Sequence, residues 1–164
     1  MDWFDRFFRS IWPRPTAGEE DRMADMKRAE AWVDAQLKPS CAPNYMHEPA
    51  KQIVMRMAHG VIVSQACVNI ETAVHLVWRS LEQAAYEPTA IVELLFQVQR
   101  CNVPYDSDPL QFLRWVTVEA GNIRAELAAS EGIAHLHDPE VPRLLIERME
   151  NGAILHLFAL PESS

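Results

Sequence analysis

The eleven prolines of this chain fall almost entirely at the edges of apolar-periodic segments, and this placement constrains the fold more than any other feature. A proline inside a helix removes a backbone donor and clashes with the preceding turn, whereas at the first helical turn it costs little. The segments between the prolines carry apolar residues at spacings of three and four, which is the helical period. The sequence therefore predicts an all-α fold, a compact single-domain assembly of about six or seven helices.

Local start and stop signals give the expected helix ends. A capping box at residues 16–19 starts one helix, and the Asp-Pro pairs at 108–109 and 138–139 start two more. Pro88 lies at a first helical turn, and Asn151-Gly152 is a stop signal. The predicted helices cover residues 16–37, 49–86 with a break, 88–100, 109–131 and 139–151, with a turn-rich connector at 40–48. Residues 153–160 are apolar and fit either a final helical turn or a short extended tail.

The segment at residues 50–86 is predicted to be the hydrophobic spine of the fold, since it holds no proline and a single glycine, Gly60. Its polar stripe reverses direction along the way. The stripe begins with Gln52, Arg56 and His59, and from Gln65 onward it points to nearly the opposite side. We expect a break or kink at His59-Gly60; a single long helix buried on different faces, or a short strand at residues 61–63, would also explain the pattern.

Residues 1–15 are predicted to form a separate amphipathic arm ahead of a helical domain at residues 16–164. Residues 2–12 of the arm are predicted to be a short helix with six large apolar side chains on one face, which the prolines at 13 and 15 end. Such a stripe packs on its own domain, docks in a partner's groove, or lies on a membrane surface. The candidate partner-binding residues are Trp3, Phe4, Phe7, Phe8, Ile11 and Trp12.

The net charge of −8 is concentrated in the last third of the chain, where residues 105–164 carry ten acids and four bases. This balance disfavours direct binding of nucleic acid, which requires basic surface. It suits a protein partner with a basic surface, although a solvated acidic face also explains it. The sequence does not predict whether the chain forms homo-oligomers.

Composition indicates an ordinary globular domain in the cytoplasm. No apolar run approaches the ~20 residues that a membrane-spanning helix needs, and the N-terminus lacks the layout of a signal peptide. The three cysteines form no Cys-x-x-Cys pair, so neither a disulfide framework nor a thiolate zinc site is indicated. Cys67, among apolar neighbours, is interpreted as a core residue.

Two polar groupings are the candidates for chemistry. Glu71 and His75 are four residues apart and share a helical face, although a lone pair leaves a metal under-coordinated. His135 and His137 would point the same way in an extended segment, whereas the adjacent Asp138 is explained as a helix cap. No glycine-rich phosphate loop or local nucleophile motif is present, and no cofactor is predicted.

These observations favour a non-catalytic protein-protein interaction module, namely a small acidic helical adaptor, an inhibitor or a subunit of a larger complex. One alternative is a metal- or His-dependent hydrolase-type enzyme that uses the two polar groupings. The other is a peripheral membrane protein anchored by its N-terminal helix. An enzyme is less favoured than an interaction module because the sequence contains no catalytic constellation.

Overall fold

The computed structural model describes residues 19–64, 67, 69–103, 105–131 and 140–151, and their regular structure is entirely α-helical. The prediction of an all-α fold is therefore confirmed, with six helices in the described residues. They are α1 (Glu19–Leu37), α2 (Asn44–Val63), α3 (Ile70–Ala85), α4 (Pro88–Arg100), α5 (Pro109–Glu131) and α6 (Glu140–Glu150).

Helix α3 is the centre of the fold. Ten of its sixteen residues are buried, and it packs against each of the other five helices. Trp78 is the largest fully buried side chain of the described residues, and Leu76 and Leu81 are enclosed with it. With the buried face of α2, which includes Ile53 and Met57, this helix forms the hydrophobic spine that the sequence predicts at residues 50–86.

Both ends of α3 are capped by charged side chains from neighbouring helices. At its N-terminus the buried carboxylate of Asp25, on α1, accepts hydrogen bonds from the backbone N–H groups of Ile70 (2.7 Å) and Glu71 (3.2 Å). At its C-terminus the guanidinium of Arg124, on α5, donates to the carbonyl of Gln83 at 2.6 Å. An anion at the N-terminus and a cation at the C-terminus both complement the helix dipole.

Helix α2 begins earlier than the sequence predicts and contains a proline. It starts at Asn44, so the connector predicted at residues 40–48 is wrong over its second half. Pro49 is the sixth residue of the helix, where its missing N–H removes one bond, that to the carbonyl of Tyr45. Because only one turn precedes this position, the helix loses little by starting there rather than at Pro49.

The predicted break at His59-Gly60 is also misplaced. Helix α2 continues through Gly60 to Val63, and the next helix starts at Ile70 after its N-cap, Asn69. The reversal of the polar stripe is therefore real, but it separates two helices rather than two halves of a kinked one. Gly60 serves packing instead, because a Cβ there would lie 2.8 Å from Cγ of Pro109.

The C-terminal end of α1, both ends of α4 and the start of α5 agree with the sequence, whereas the start signals at residues 16–18 and 138–139 lie outside the described residues. Helix α4 spans Pro88–Arg100, and α5 starts at Pro109 with the carboxylate of Asp108 accepting from the N–H of Gln111 at 3.2 Å. Helix α6 buries Leu145 and Met149. Its Arg148 pairs with Glu119 and Glu126, which holds α6 against α5.

Candidate functional site

An open groove of about 970 Å³ lies between α1, α2 and the turn that leads into α5. Helices α1 and α2 are joined by a short connector, and an ion pair of 3.0 Å joins Asp34 near the end of α1 to Lys51 in the first half of α2. The groove touches the middle of α1, at Met26 and Glu30, and follows most of α2. Its lining residues are Met26, Glu30, Glu48, Lys51, Gln52, Met55, Arg56, His59, Gly60, Val63, Ser64, Ile70, Asp106, Ser107, Asp108 and Pro109.

The groove exposes apolar side chains to solvent. Val63, on the last turn of α2, is 69% exposed, and Met26 on α1 is 38% exposed. Met23, which is 64% exposed, lies one turn before Met26 on the same face of α1, so the apolar strip continues toward the N-terminus of that helix. Because methionine side chains are flexible and polarisable, such a strip adapts to varied apolar ligands.

The rim of the groove has an excess of negative charge. Four acids line it, Glu30, Glu48, Asp106 and Asp108, against two bases, Lys51 and Arg56. The ammonium of Lys51 is already paired with Asp34, whose hydrogen bond and charge raise the pKa of that lysine. The rim therefore favours a ligand that carries positive charge beside an apolar surface.

The sequence predicted the polar wall of this groove without predicting the groove. Gln52, Arg56 and His59, the polar stripe of α2, are exposed and line it. Helical periodicity alone would place Met26 on the buried side of α1, whereas in the structure that side is taken by Ala29 and Val33 and Met26 is exposed. No local signal in the sequence brings residues 106–109 to α2, because that approach depends on the packing of distant segments.

Glu71 and His75 come close to each other in the structure, but each is engaged elsewhere. A carboxylate oxygen of Glu71 accepts from Nε of Arg28 at 2.9 Å, which links α3 to α1. The ring of His75 lies 4.0 Å from that of Trp32, centroid to centroid, at an angle of 36°. Burial lowers the pKa of His75, and the nearby guanidinium of Arg79 acts in the same direction against the opposing charge of Glu71.

The other residues singled out in the sequence lie outside the described part of the chain. They are Trp3, Phe4, Phe7, Phe8, Ile11 and Trp12 of the arm, and His135, His137 and Asp138. The arm-domain boundary at residue 15 and the tail at 153–160 lie outside it as well. Within the described residues, no group of three or more His, Cys, Asp or Glu side chains is arranged to hold a metal ion.

The three cysteines are free, and their environments differ. Burial raises the pKa of the Cys67 thiol to about 11 and also raises that of Cys101. A thiol with a raised pKa is a poor nucleophile at neutral pH. Cys67 is 1% exposed and is therefore a core residue, as the sequence predicts. Cys41 is exposed, and its backbone N–H donates to the Thr89 hydroxyl at 2.8 Å.

Comparison of the chain with protein-family profiles, with curated proteins and with solved structures finds no significant match. None of the helices in the described residues has the length and apolarity needed to cross a bilayer. The groove, with its exposed Met26 and Val63 and its excess of acidic side chains, is the candidate binding site of the described residues.

Proposed function

We propose that this chain is a non-catalytic protein-interaction module that binds an amphipathic, basic helical segment of a partner protein in the groove. The observation that carries the proposal is that the exposed side chains of Val63 and Met26 line the same groove as four acidic residues. Helix-in-groove recognition uses this combination: an apolar strip supplies the affinity, and charges beside it set the orientation and the association rate.

The dimensions of the groove fit a helix. Along α2 it extends from Glu48 to Ser64, which corresponds to ~24 Å of helix axis. A docked helix of four turns would cover this length, and its apolar stripe would contact Met26, Met55 and Val63. Basic residues flanking that stripe would meet Glu30 and Asp106 across the rim.

The test is affinity capture from the source cells followed by titration of each captured protein against three forms of the chain. These forms are the wild type, Val63→Glu and the matched control Val118→Glu. Val118 is 52% exposed on α5, away from the groove, so both variants place the same charge on an exposed valine. We expect Val63→Glu to weaken a true groove ligand by at least about tenfold, because a carboxylate replaces an apolar contact.

Two further measurements test whether a captured protein binds in the groove. Raising the salt concentration should slow association of the partner, since screening weakens steering between the acidic rim and a basic ligand. If every captured protein binds Val63→Glu as tightly as it binds Val118→Glu, the groove is not the binding surface and the proposal is wrong.

A further inference from the structure

The groove lies close to the N-terminal part of α1. Asp25 on α1 accepts hydrogen bonds from the N–H groups of Ile70 and Glu71, which follow α2, and Met26 lines the groove together with Val63. Met26, which lines the groove, is seven residues from Glu19, a distance of ~10 Å along the helix. The exposed Met23 lies between them and continues the apolar strip in that direction.

The length of the preceding chain is sufficient for it to return to the groove. Residues 13–18, between the predicted helix of the arm and α1, can span up to ~20 Å when extended. The predicted helix at residues 2–12 would be ~16 Å long, shorter than the ~24 Å that the groove follows along α2. The arm can therefore reach its own groove and fit within it.

The chemistry of the arm matches that of the groove. The arm offers an aromatic stripe that includes Phe4, Phe7 and Phe8, and sulfur-aromatic contacts with methionines are favourable. Its bases at positions 6, 9 and 14 outnumber its acids at positions 2 and 5, whereas acids predominate on the rim. Apolar surface and charge are thus complementary between these two parts of one chain.

We propose that residues 1–15 occupy the groove of the same molecule and compete there with the partner. The competition rests on the proposed function, whereas the occupancy does not. An intramolecular ligand acts at an effective concentration on the order of millimolar. An arm with an intrinsic dissociation constant near 0.1 mM would therefore fill the groove about nine-tenths of the time and weaken a partner's binding by about tenfold.

The location of the arm is tested by photo-crosslinking in the full-length chain. The photoreactive amino acid p-benzoylphenylalanine replaces Phe7, the protein is irradiated at low micromolar concentration, and the products are mapped by mass spectrometry. We expect links within one molecule to Met26, Met55 or Val63, and a several-fold lower yield in Val63→Glu than in Val118→Glu. The same probe at Arg9, on the polar face of the arm, is the control and should give few of these links.

Occupancy is tested independently by the reactivity of a thiol at position 63. In the full chain with Cys41→Ser and Cys101→Ser, the variant Val63→Cys should react with Ellman's reagent about tenfold more slowly than after Phe7→Asp and Phe8→Asp are added. A thiol introduced by Val118→Cys should not respond to those changes. The buried native Cys67 should stay unreactive throughout, which shows that the domain is folded.

Crosslinks to other faces of the domain, crosslinked dimers, or a thiol at position 63 that reacts equally fast with and without the arm aromatics would each overturn the inference. Dimers linked at the groove would identify a second copy as the occupant instead. The proposed function fails on a different result, namely partner binding that is indifferent to Val63→Glu. The two proposals are therefore tested separately.

Discussion

His75 shows at the scale of one residue how burial affects the charge state of a side chain. It packs against Trp32, and its Nε2 atom is buried with no hydrogen-bond partner among the described residues. The guanidinium of Arg79 also lies near Trp32, 5.8 Å from the centre of its ring. A protonated imidazole here would lose hydration and face a neighbouring cation, so the folded protein favours the neutral ring.

This arrangement predicts how stability depends on pH. The pKa of His75 is lowered from its usual 6.5 in the folded state, chiefly by burial, so the unfolded chain binds the proton more readily. The free energy of unfolding should therefore fall as the pH drops through 6.5 toward the lower folded pKa. His75→Phe keeps the ring on Trp32 and removes the titration, so its stability should depend less on pH.

Urea unfolding of the wild type and of His75→Phe at several pH values between about 7.5 and 5.5 measures this pH dependence. Most carboxylates stay ionised in that range. His59→Gln is the control, because His59 is exposed on the groove and does not touch the Trp32 cluster. Equal pH dependence in the wild type and His75→Phe would contradict the prediction.

At the scale of elements, the ends of helices could be predicted from the sequence because their signals are local. Pro88 and the Asp108-Pro109 pair start helices where they were expected to, since caps and first-turn prolines act within a few residues. Pro49 and Gly60 misled the prediction because their roles depend on context. Pro49 is tolerated one turn into α2, and Gly60 permits the close approach of Pro109, which is distant in sequence.

The candidate site was predicted only in part for the same reason. The polar face of α2 could be read from helical periodicity, as Gln52 and Arg56 show. The apolar strip on α1 and the turn at residues 106–109 join that face only through tertiary packing. Asp25 was missed entirely as a buried residue, because the N–H groups that it caps belong to another helix.

The contact between Gly60 and Pro109 gives a prediction at this scale. Gly60→Ala gains up to ~1 kcal/mol of helix propensity, but its Cβ would overlap the rigid proline ring at 2.8 Å. Because overpacking costs ~1–3 kcal/mol, we expect a net loss in the free energy of unfolding. Gly121→Ala on α5, where nothing lies within 4 Å of the new Cβ, should instead stabilise the protein by ~0.5–1 kcal/mol.

Urea denaturation of the two alanine variants beside the wild type measures both effects. The pair is matched in the change made and in helical context, so the difference between them reports the contact with Pro109. If Gly60→Ala stabilised the protein as much as Gly121→Ala does, the ring of Pro109 would not be in close contact with α2 at position 60.

For the whole molecule, the central position of α3 determines how substitutions at the two ends of this helix affect the free energy of unfolding. Since this helix packs against each of the five other described helices, loosening either of its ends weakens a single cooperative unit. Asp25 and Arg124 reach those ends from α1 and α5, and the guanidinium of Arg124 also lies 5.2 Å from the ring centre of Tyr86. Asp25 and Arg124 thus link α1 and α5 to α3 through charged hydrogen bonds at the two ends of α3.

We predict that Asp25→Asn and Arg124→Met each lower the free energy of unfolding by ~1–2 kcal/mol, through loss of charged hydrogen bonds to backbone groups. The capped groups, the N–H of Ile70 and the carbonyl of Gln83, are ~20 Å apart along α3, so the double variant should lose the sum of the two effects to within ~0.5 kcal/mol. Asp34→Asn and Arg143→Met make the same chemical changes at exposed ion pairs and should each cost no more than ~0.5 kcal/mol. Denaturant unfolding of all five variants and the wild type measures these terms together. Losses at the caps no larger than those of the controls would mean that apolar burial alone holds α3 in place, and a clearly non-additive double variant would mean that its two ends respond as one.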